Sequence, residues 1–357
     1  MSGDTTASFT NHRGVRIWLW TGIFMVLVQV AIGGITRLTD SGLSMTNWEP
    51  VKGSLPPLTE QAWLEAFEDY KQYPEFYKKN ADFSLAEFKR IFWWEYIHRA
   101  WARMIGLVFI FPFVWFWRKG HLTPVMRRNL FGVMILGLCQ AVMGWVMVSS
   151  GLVDSPWVSP YRLTAHLFLA LGIFLWLYWM ILKMGNPLPS LADTSRIRPL
   201  LKVLTVLALI QIAYGGLVAG SDAARFFNTW PAMGNELIPS GLFANGLEWS
   251  IFRENKITSN FIINVQFIHR TLAILVLLTT VGVWMRSRPM DAVARRGANF
   301  LLMAIGLQFL LGVATIVSAS ATHIPVNLGV LHQLGAFLLT GVLVYMHVVT
   351  KPSVAPE

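Results

Sequence analysis

Long stretches without charged side chains are the feature that most constrains how this chain folds. Residues 297–350 contain no Asp, Glu, Lys or Arg. Only 13% of the 357 residues are charged, about half the roughly 25% typical of globular domains. A helix needs about 20 mostly apolar residues to cross a bilayer, and eight segments qualify. The sequence therefore predicts an all-α membrane protein with eight transmembrane helices, spans 1 to 8, and excludes water-soluble and disordered classes.

Cysteine content and charge placement narrow the class further. Cys139 is the only cysteine, which excludes an intramolecular disulfide, a Cys-rich zinc site and an iron–sulfur cluster. The net charge is +10, but Lys and Arg concentrate in loops 2–3, 4–5 and 6–7, as expected of cytoplasmic loops. The charge thus indicates both termini in the cytoplasm rather than a nucleic-acid partner. The short polar N-terminus is neither a secretory signal nor a transit peptide, which favours a bacterial inner membrane.

Span 2 must contain ionisable residues. Its charge-free part, Met104–Trp117, would be roughly 21 Å long as a helix, short of a hydrocarbon core of about 30 Å. We therefore expect this helix to begin earlier and to include Glu95, His98 and Arg99. A capping-box pattern that begins at Ser84 offers a start for the helix.

Span 6 poses the same problem. Only 15 charge-free residues separate Arg270 from Arg286, so the helix must include Gln266, His269 and Arg270. Ionisable residues at membrane depth are costly and usually functional.

An internal repeat relates spans 1–4 to spans 5–8. Gln29 and Gly33 in span 1 match Gln211 and Gly215 in span 5, and this Gln-x-x-x-Gly pattern recurs in spans 3 and 7. A small residue one turn from a polar one has a purely structural explanation, because it lets helices approach and form hydrogen bonds. Four spans per unit give both halves the same orientation, whereas many transporters use inverted units. The repeat predicts two tandem parallel four-helix bundles.

The predicted divisions follow from this repeat. They are a cytoplasmic tail over 1–14, a first bundle over 15–190 with a long outer loop over 39–91, a second bundle over 191–350 and a cytoplasmic tail over 351–357. The outer loop is long enough to be functional. Within it, residues 59–73 predict an amphipathic helix on the membrane surface that could cap the first bundle.

Four histidines lie near the starts of the even-numbered spans: His98, His166, His269 and His332. Any one alone is more simply a buried histidine bonded to backbone. Four of them near the outer face, paired within each half, indicate a shared role. Two imidazoles that face each other across a bundle suit the axial positions of a haem iron, so the sequence predicts two haem sites. Zinc does not explain the pairing, and a di-iron site needs more glutamates than the spans supply.

Each half has an arginine directly after its first histidine, Arg99 and Arg270. Such an arginine either holds a haem propionate with two hydrogen bonds or snorkels to the interface. The halves differ at Glu95, whose counterpart is Gln266. Because a carboxylate can accept a proton and an amide cannot, we expect the reactive site in the first half. The alternative is a structural ion pair between Glu95 and Arg99.

Several segments together resemble the heme A synthase family over residues 14–350. They are GGITRLTDSGLSMTNWEPVKGSLPP (33–57), EYIHRAWARMIG (95–106), GGLVAGSDAARFFNTWP (215–231), FIHRTLA (267–273) and LHQLGA (331–336). Some members carry cysteine pairs in outer loops. This chain is similar to the cysteine-poor branch of proteobacteria and mitochondria.

The resemblance implies oxidation of the C8 methyl group of haem O to a formyl group by successive hydroxylations, which gives haem A for cytochrome oxidase. It implies a haem b cofactor on His269 and His332, substrate near His98 and His166, and Glu95 in catalysis. A haem O synthase and further copies of the chain are possible partners. Two other classes stay open, a di-haem b electron carrier and a transporter or haem chaperone.

Overall fold

The computed structural model describes residues 9–10, 12–46, 55–152, 156–185, 190, 192–244 and 257–350. The predicted C-terminal tail and most of the N-terminal tail lie outside these residues. Within the described part, every element of regular secondary structure is a helix, which confirms the all-α class.

Eight helices are long and apolar enough to cross a membrane, as predicted. Spans 1 to 8 are Arg13–Leu38, Leu85–Arg118, Pro124–Gly151, Pro160–Gly185, Arg198–Gly220, Ser259–Ser287, Ala292–Val317 and Val326–Val349.

Spans 2 and 6 start upstream of their charge-free parts, as the length argument requires. Ser84 caps span 2 in a reciprocal capping box with Glu87, so two backbone groups that the helix start leaves unpaired find partners. Consequently His98 lies almost four turns into its helix, whereas His166 lies less than two turns into span 4. The histidines therefore do not share a position relative to their helix starts.

The contacts between spans form two rings of four, of which the first is nearly open because spans 2 and 3 touch at only a few residues. Span 1 packs on spans 2 and 4, and spans 3 and 4 pack together; span 5 packs on spans 6 and 8, and span 7 on spans 6 and 8. Spans 1 and 4 of the first ring also contact spans 5 and 8 of the second. Phe174 of span 4 meets Phe337 of span 8 with ring centroids 5.7 Å apart. Four spans thus face one another across the junction between the halves.

Each ring is closed by an apolar core at the end away from the four histidines. In the first, Leu19, Met126, Leu130 and Met180 are fully or almost fully buried. In the second, Leu201, Leu204, Ala298, Leu301 and Met346 are fully buried. Solid packing at one end leaves the histidine end as the place where a ligand can fit.

The loop between spans 1 and 2 contains two short helices, Glu60–Lys71 and Pro74–Lys79. The first confirms the amphipathic pattern, and its apolar face packs on span 2. Trp63 meets Phe92 at 4.9 Å and Phe67 stacks on Phe88 at 5.1 Å between ring centroids. The loop is therefore folded onto the histidine end of the first bundle.

Candidate functional site

Each of the four histidines rests in a notch made by a glycine of the preceding span. A β-carbon added to these glycines would lie 2.9–3.1 Å from an imidazole atom, so the imidazole would have to shift by a few tenths of an ångström or more. The pairs are Gly33 with His98, Gly144 with His166, Gly215 with His269 and Gly312 with His332. The Gln-x-x-x-Gly pattern does allow close packing between helices, as its structural explanation requires. In this fold the group that packs against the glycine is an imidazole ring.

The glutamine one turn before each glycine bonds to the same histidine. The bonds run from Gln29 Nε2 to the backbone carbonyl of His98 at 3.1 Å, from Gln140 Nε2 to His166 Nε2 at 3.1 Å, from Gln211 Nε2 to His269 Nε2 at 3.4 Å and from Gln308 Nε2 to His332 Nδ1 at 3.1 Å. Four independent buried histidines would not share one environment in this way. The repeated environment therefore argues for a common role.

The second pair has the spacing of two ligands on one metal ion. The ring centroids of His269 and His332 are 6.4 Å apart and the rings are nearly perpendicular, at 87°. Metal–imidazole bonds of about 2.0 Å put two ring centres on opposite sides of one ion about 6 Å apart. The spacing of this pair therefore matches a bis-histidine haem. Both ring nitrogens of His269 contact Gln211, its Nε2 the side-chain nitrogen at 3.4 Å and its Nδ1 the backbone carbonyl at 3.2 Å, so this ring must turn to bind an iron.

One cavity of about 1160 Å³ is lined by all four histidines. It exceeds the roughly 300–1,000 Å³ of ordinary ligand pockets. His98 and His166 line this same cavity, and Nδ1 of His166 is buried without a partner among the described residues. The first pair can therefore also contact a ligand in this cavity, with Nδ1 of His166 available to bind it.

A bare metal ion is a poor fit to these pairs. Among the residues that the structure describes, no three His, Cys, Asp or Glu side chains come together as a metal-binding group. Two imidazoles need a partner that brings further donors of its own, as the four nitrogens of a porphyrin do. This geometry argues against the zinc and di-iron alternatives.

Glu95 is buried, with only 2% of its surface exposed, and it lines the cavity. Its Oε2 accepts hydrogen bonds from the Ser44 hydroxyl at 2.8 Å and the Met45 backbone N–H at 2.7 Å. Its Oε1 accepts from Arg99, which also donates to the Met45 carbonyl at 3.0 Å. The structural ion pair is thus present, and it joins span 2 to the loop after span 1.

The second half repeats this attachment with an amide, that of Gln266, in place of the carboxylate. Gln266 donates to the Phe227 carbonyl at 3.0 Å, and Arg270 donates to the same carbonyl at 2.8 Å and to that of Ala232 at 3.1 Å. Arg270 also lies over the Trp230 ring and lines the cavity. The predicted difference between Glu95 and Gln266 is therefore set in otherwise matching surroundings.

Two cavity residues come from the helix Pro74–Lys79 and were not predicted. Glu75 is 2% exposed and lines the cavity beside Lys79. Burial, together with the nearby Glu95 and Asp40 carboxylates, raises the pKa of Glu75 to about 8, although Lys79 and a hydrogen bond from Tyr70 oppose the shift. The sequence signal was a glutamate between aromatic residues in a long loop, which does not show what the loop covers.

Comparison with known proteins identifies the family of this chain. The model of the cytochrome oxidase assembly protein family matches residues 16–344. A heme A synthase of Paramagnetospirillum magneticum is 44% identical over 335 residues, covering 92% of this chain and 91% of the relative. One of Nitrosospira multiformis is 41% identical over 340 residues, covering 94% and 93%. With its two histidine pairs and eight spans, this chain belongs to the heme A synthase family, whose members are membrane-bound, haem-modifying oxidoreductases.

Proposed function

We propose that this protein oxidises the C8 methyl group of haem O to a formyl group, with a haem b between His269 and His332 and the substrate between His98 and His166. The observation that carries the proposal is the single cavity in which both histidine pairs sit in equivalent glycine notches. The names of the relatives support the reaction.

The histidines and their supports hold two flat rings in fixed places. The glycine notches let each imidazole lie against the neighbouring helix, and Gln140, Gln211 and Gln308 limit the rotation of His166, His269 and His332. A haem b bound in this way supplies one-electron redox chemistry to the site. The apolar wall of the cavity excludes water from both rings.

Glu95 is the group that we assign to proton transfer. Its carboxylate lines the cavity, and it is fixed by Ser44, Met45 and Arg99. A fixed carboxylate can take up, at Oε1 or Oε2, a proton released when a methyl C–H bond is oxidised. Gln266 cannot do so, which assigns the reactive site to the first half.

Arg99 and Arg270 are the candidates for holding haem propionates. Both line the cavity one residue after a histidine, and both already hold loop carbonyls. A guanidinium has five N–H donors, so it can hold a backbone carbonyl and a carboxylate at once.

The placement in the cell follows from the charged loops. We propose that the protein lies in a bacterial inner membrane with both termini in the cytoplasm and the histidine end toward the periplasm. Haem O would then come from a haem O synthase in the same membrane, and further copies of the chain are possible partners. The divisions 15–190 and 191–350 would carry the substrate and cofactor sites.

Haem extraction and mass analysis of the purified protein test this proposal. We expect haem b together with haem O or haem A from the wild type. The Glu95→Ala variant should keep its haem b while haem O accumulates in the membrane. A protein that yields only unmodified haem b in every preparation would be an electron carrier. Normal haem A output from Glu95→Ala would remove Glu95 from the mechanism.

A further inference from the structure

The two halves differ at one junction between neighbouring spans. Spans 6 and 7 pack closely, whereas the corresponding spans 2 and 3 touch at only a few residues. The cavity reaches this 2–3 seam, where it is lined by Arg103, Gly106 and Ile110 of span 2 and by Ile135 and Leu138 of span 3. Ile135 and Leu138 are 50% and 66% exposed. The first site is therefore open on the side that faces the bilayer.

The second site is closed at the matching place. With the spacing that relates His98 to His269, the counterparts of Arg103, Gly106 and Ile110 are Ile274, Leu277 and Val281. None of these three lines the cavity, and Leu277 packs on the apolar core of the second half.

Arg103 marks the open side with a positive charge. Its Nη1 is buried and has no hydrogen-bond partner among the described residues, and the side chain lines the cavity. A charged residue at membrane depth usually marks a substrate path or an ion partner. A guanidinium binds a carboxylate through two parallel hydrogen bonds. A ligand that uses this seam should therefore carry a carboxylate on an apolar body.

Within the described residues, the loop helix Pro74–Lys79 covers the histidine end of the first site. Glu75 and Lys79 of the loop helix Pro74–Lys79 line the cavity at the histidine end, and Lys79 is also held by Asp40 at 3.5 Å and by the Trp157 ring at 3.7 Å. A route from water would have to displace this helix. A route through the seam displaces only lipid.

We infer that the 2–3 seam is the port through which haem O enters the first site from the bilayer and haem A leaves it, with Arg103 pairing to a carboxylate of the ring. The identity of the ligand rests on the proposed function, whereas the port rests on the seam itself. Among the described residues the second site shows no such port, so its haem should exchange slowly with the membrane.

Two glycines allow the seam to be filled without disturbing the protein. A β-carbon at Gly106 or Gly137 meets no atom within 4 Å, and both residues line the cavity. Gly306 of span 7 has the same open surroundings but does not line the cavity. Gly106→Trp and Gly137→Trp therefore block the seam from its two sides, and Gly306→Trp is the matched control.

The test measures haem uptake directly. The protein, with its second site already loaded, is reconstituted in vesicles and mixed with phosphatidylcholine vesicles that carry haem O, and binding is followed by difference absorbance. We expect the double variant Gly106→Trp/Gly137→Trp to take up haem O at least about tenfold more slowly, a barrier of roughly 1.4 kcal/mol. Gly306→Trp should behave as the wild type. Wild-type uptake in the double variant, or equal slowing by Gly306→Trp, would overturn the port.

Arg103 provides a second measurement that does not depend on bulky residues. Arg103→Ile introduces the residue of the second half, and it should weaken haem O binding at the first site while the spectrum of the second haem is unchanged. Arg103→Lys should restore part of the affinity. Unchanged affinity in Arg103→Ile would remove Arg103 from the port. Conversion of bound haem O to haem A is scored separately. If the variants slow uptake but no protein, not even the wild type, converts haem O, the proposed function is contradicted and the port is not.

Discussion

Arg37 at the end of span 1 donates a hydrogen bond to the carboxylate of Asp222 just after span 5, with the two atoms 3.0 Å apart. Asp222 is the repeat counterpart of Asp40, and both have positive φ angles, 52° and 50°. Asp40 in turn lies 3.6 Å from Arg225 of the second half. Each half therefore supplies an arginine to the equivalent aspartate of the other.

This exchange predicts that the halves stabilise each other through Arg37 and Asp222. Their side chains are 20% and 10% exposed. Removal of either charge should lower the free energy of unfolding by about 2 kcal/mol, a value between those of exposed and of buried ion pairs. Arg37→Gln, Asp222→Asn and the double variant form a cycle measured by thermal unfolding in detergent. Lys71→Gln, which breaks the more exposed pair with Glu68, is the control, and simple additivity of the two changes would show that Arg37 and Asp222 are not coupled.

The glycine notches predict a site-specific loss of haem. Gly312→Ala puts a methyl group 2.9 Å from Cε1 of His332, so the imidazole must move away from its partner. We expect the haem b spectrum to be lost or shifted while the protein still folds. Gly144→Ala should instead affect only the ligand at His98 and His166. Gly306→Ala, in open surroundings, should leave both spectra intact, and an intact haem b spectrum in Gly312→Ala would contradict the notch.

Substitution of Glu95 should separate its role in anchoring the loop after span 1 from its role in proton transfer. Glu95→Gln keeps an oxygen that can accept from Ser44 and Met45, but it loses the charge that pairs with Arg99 and accepts a proton. We expect the loop to stay docked, as judged by its protection from proteolysis, while haem A formation falls by about 10²-fold or more, as for loss of a general base. Glu95→Ala should lose both. If Glu95→Gln keeps wild-type turnover, the carboxylate serves only as an anchor.

The sequence is most informative where a pattern repeats. The spans, the histidine pairs and the Glu95/Gln266 difference follow from composition and internal homology. The roles of Glu75, Lys79 and the 2–3 seam do not follow, because they depend on how a long loop folds back and how far two helices stand apart. The glycine notches could be predicted only in part. The Gln-x-x-x-Gly spacing is present in the sequence, but the imidazole that lies against each glycine comes from another helix.

Glu75 predicts that the loop helix docks less tightly as the pH rises. Its pKa of about 8 in the folded protein exceeds the ordinary value of about 4.3, so the folded state binds the proton more tightly. Docking should therefore be strongest below about pH 4 and weaken toward pH 8, by up to about 1.4 kcal/mol per pH unit. Above pH 8 the docking energy should level off, because most of Glu75 is then ionised. Lys79 offsets part of the repulsion between this carboxylate and those of Glu95 and Asp40.

Hydrogen exchange of the amides in residues 70–80, corrected for the intrinsic effect of pH, measures this weakening. Glu75→Gln removes the titrating group and should give exchange that changes little between pH 6 and pH 9. Glu68→Gln, whose glutamate is exposed and pairs with Lys71, is the control and should keep the wild-type dependence. If Glu75→Gln and the wild type weaken equally with pH, another group controls the docking of the helix.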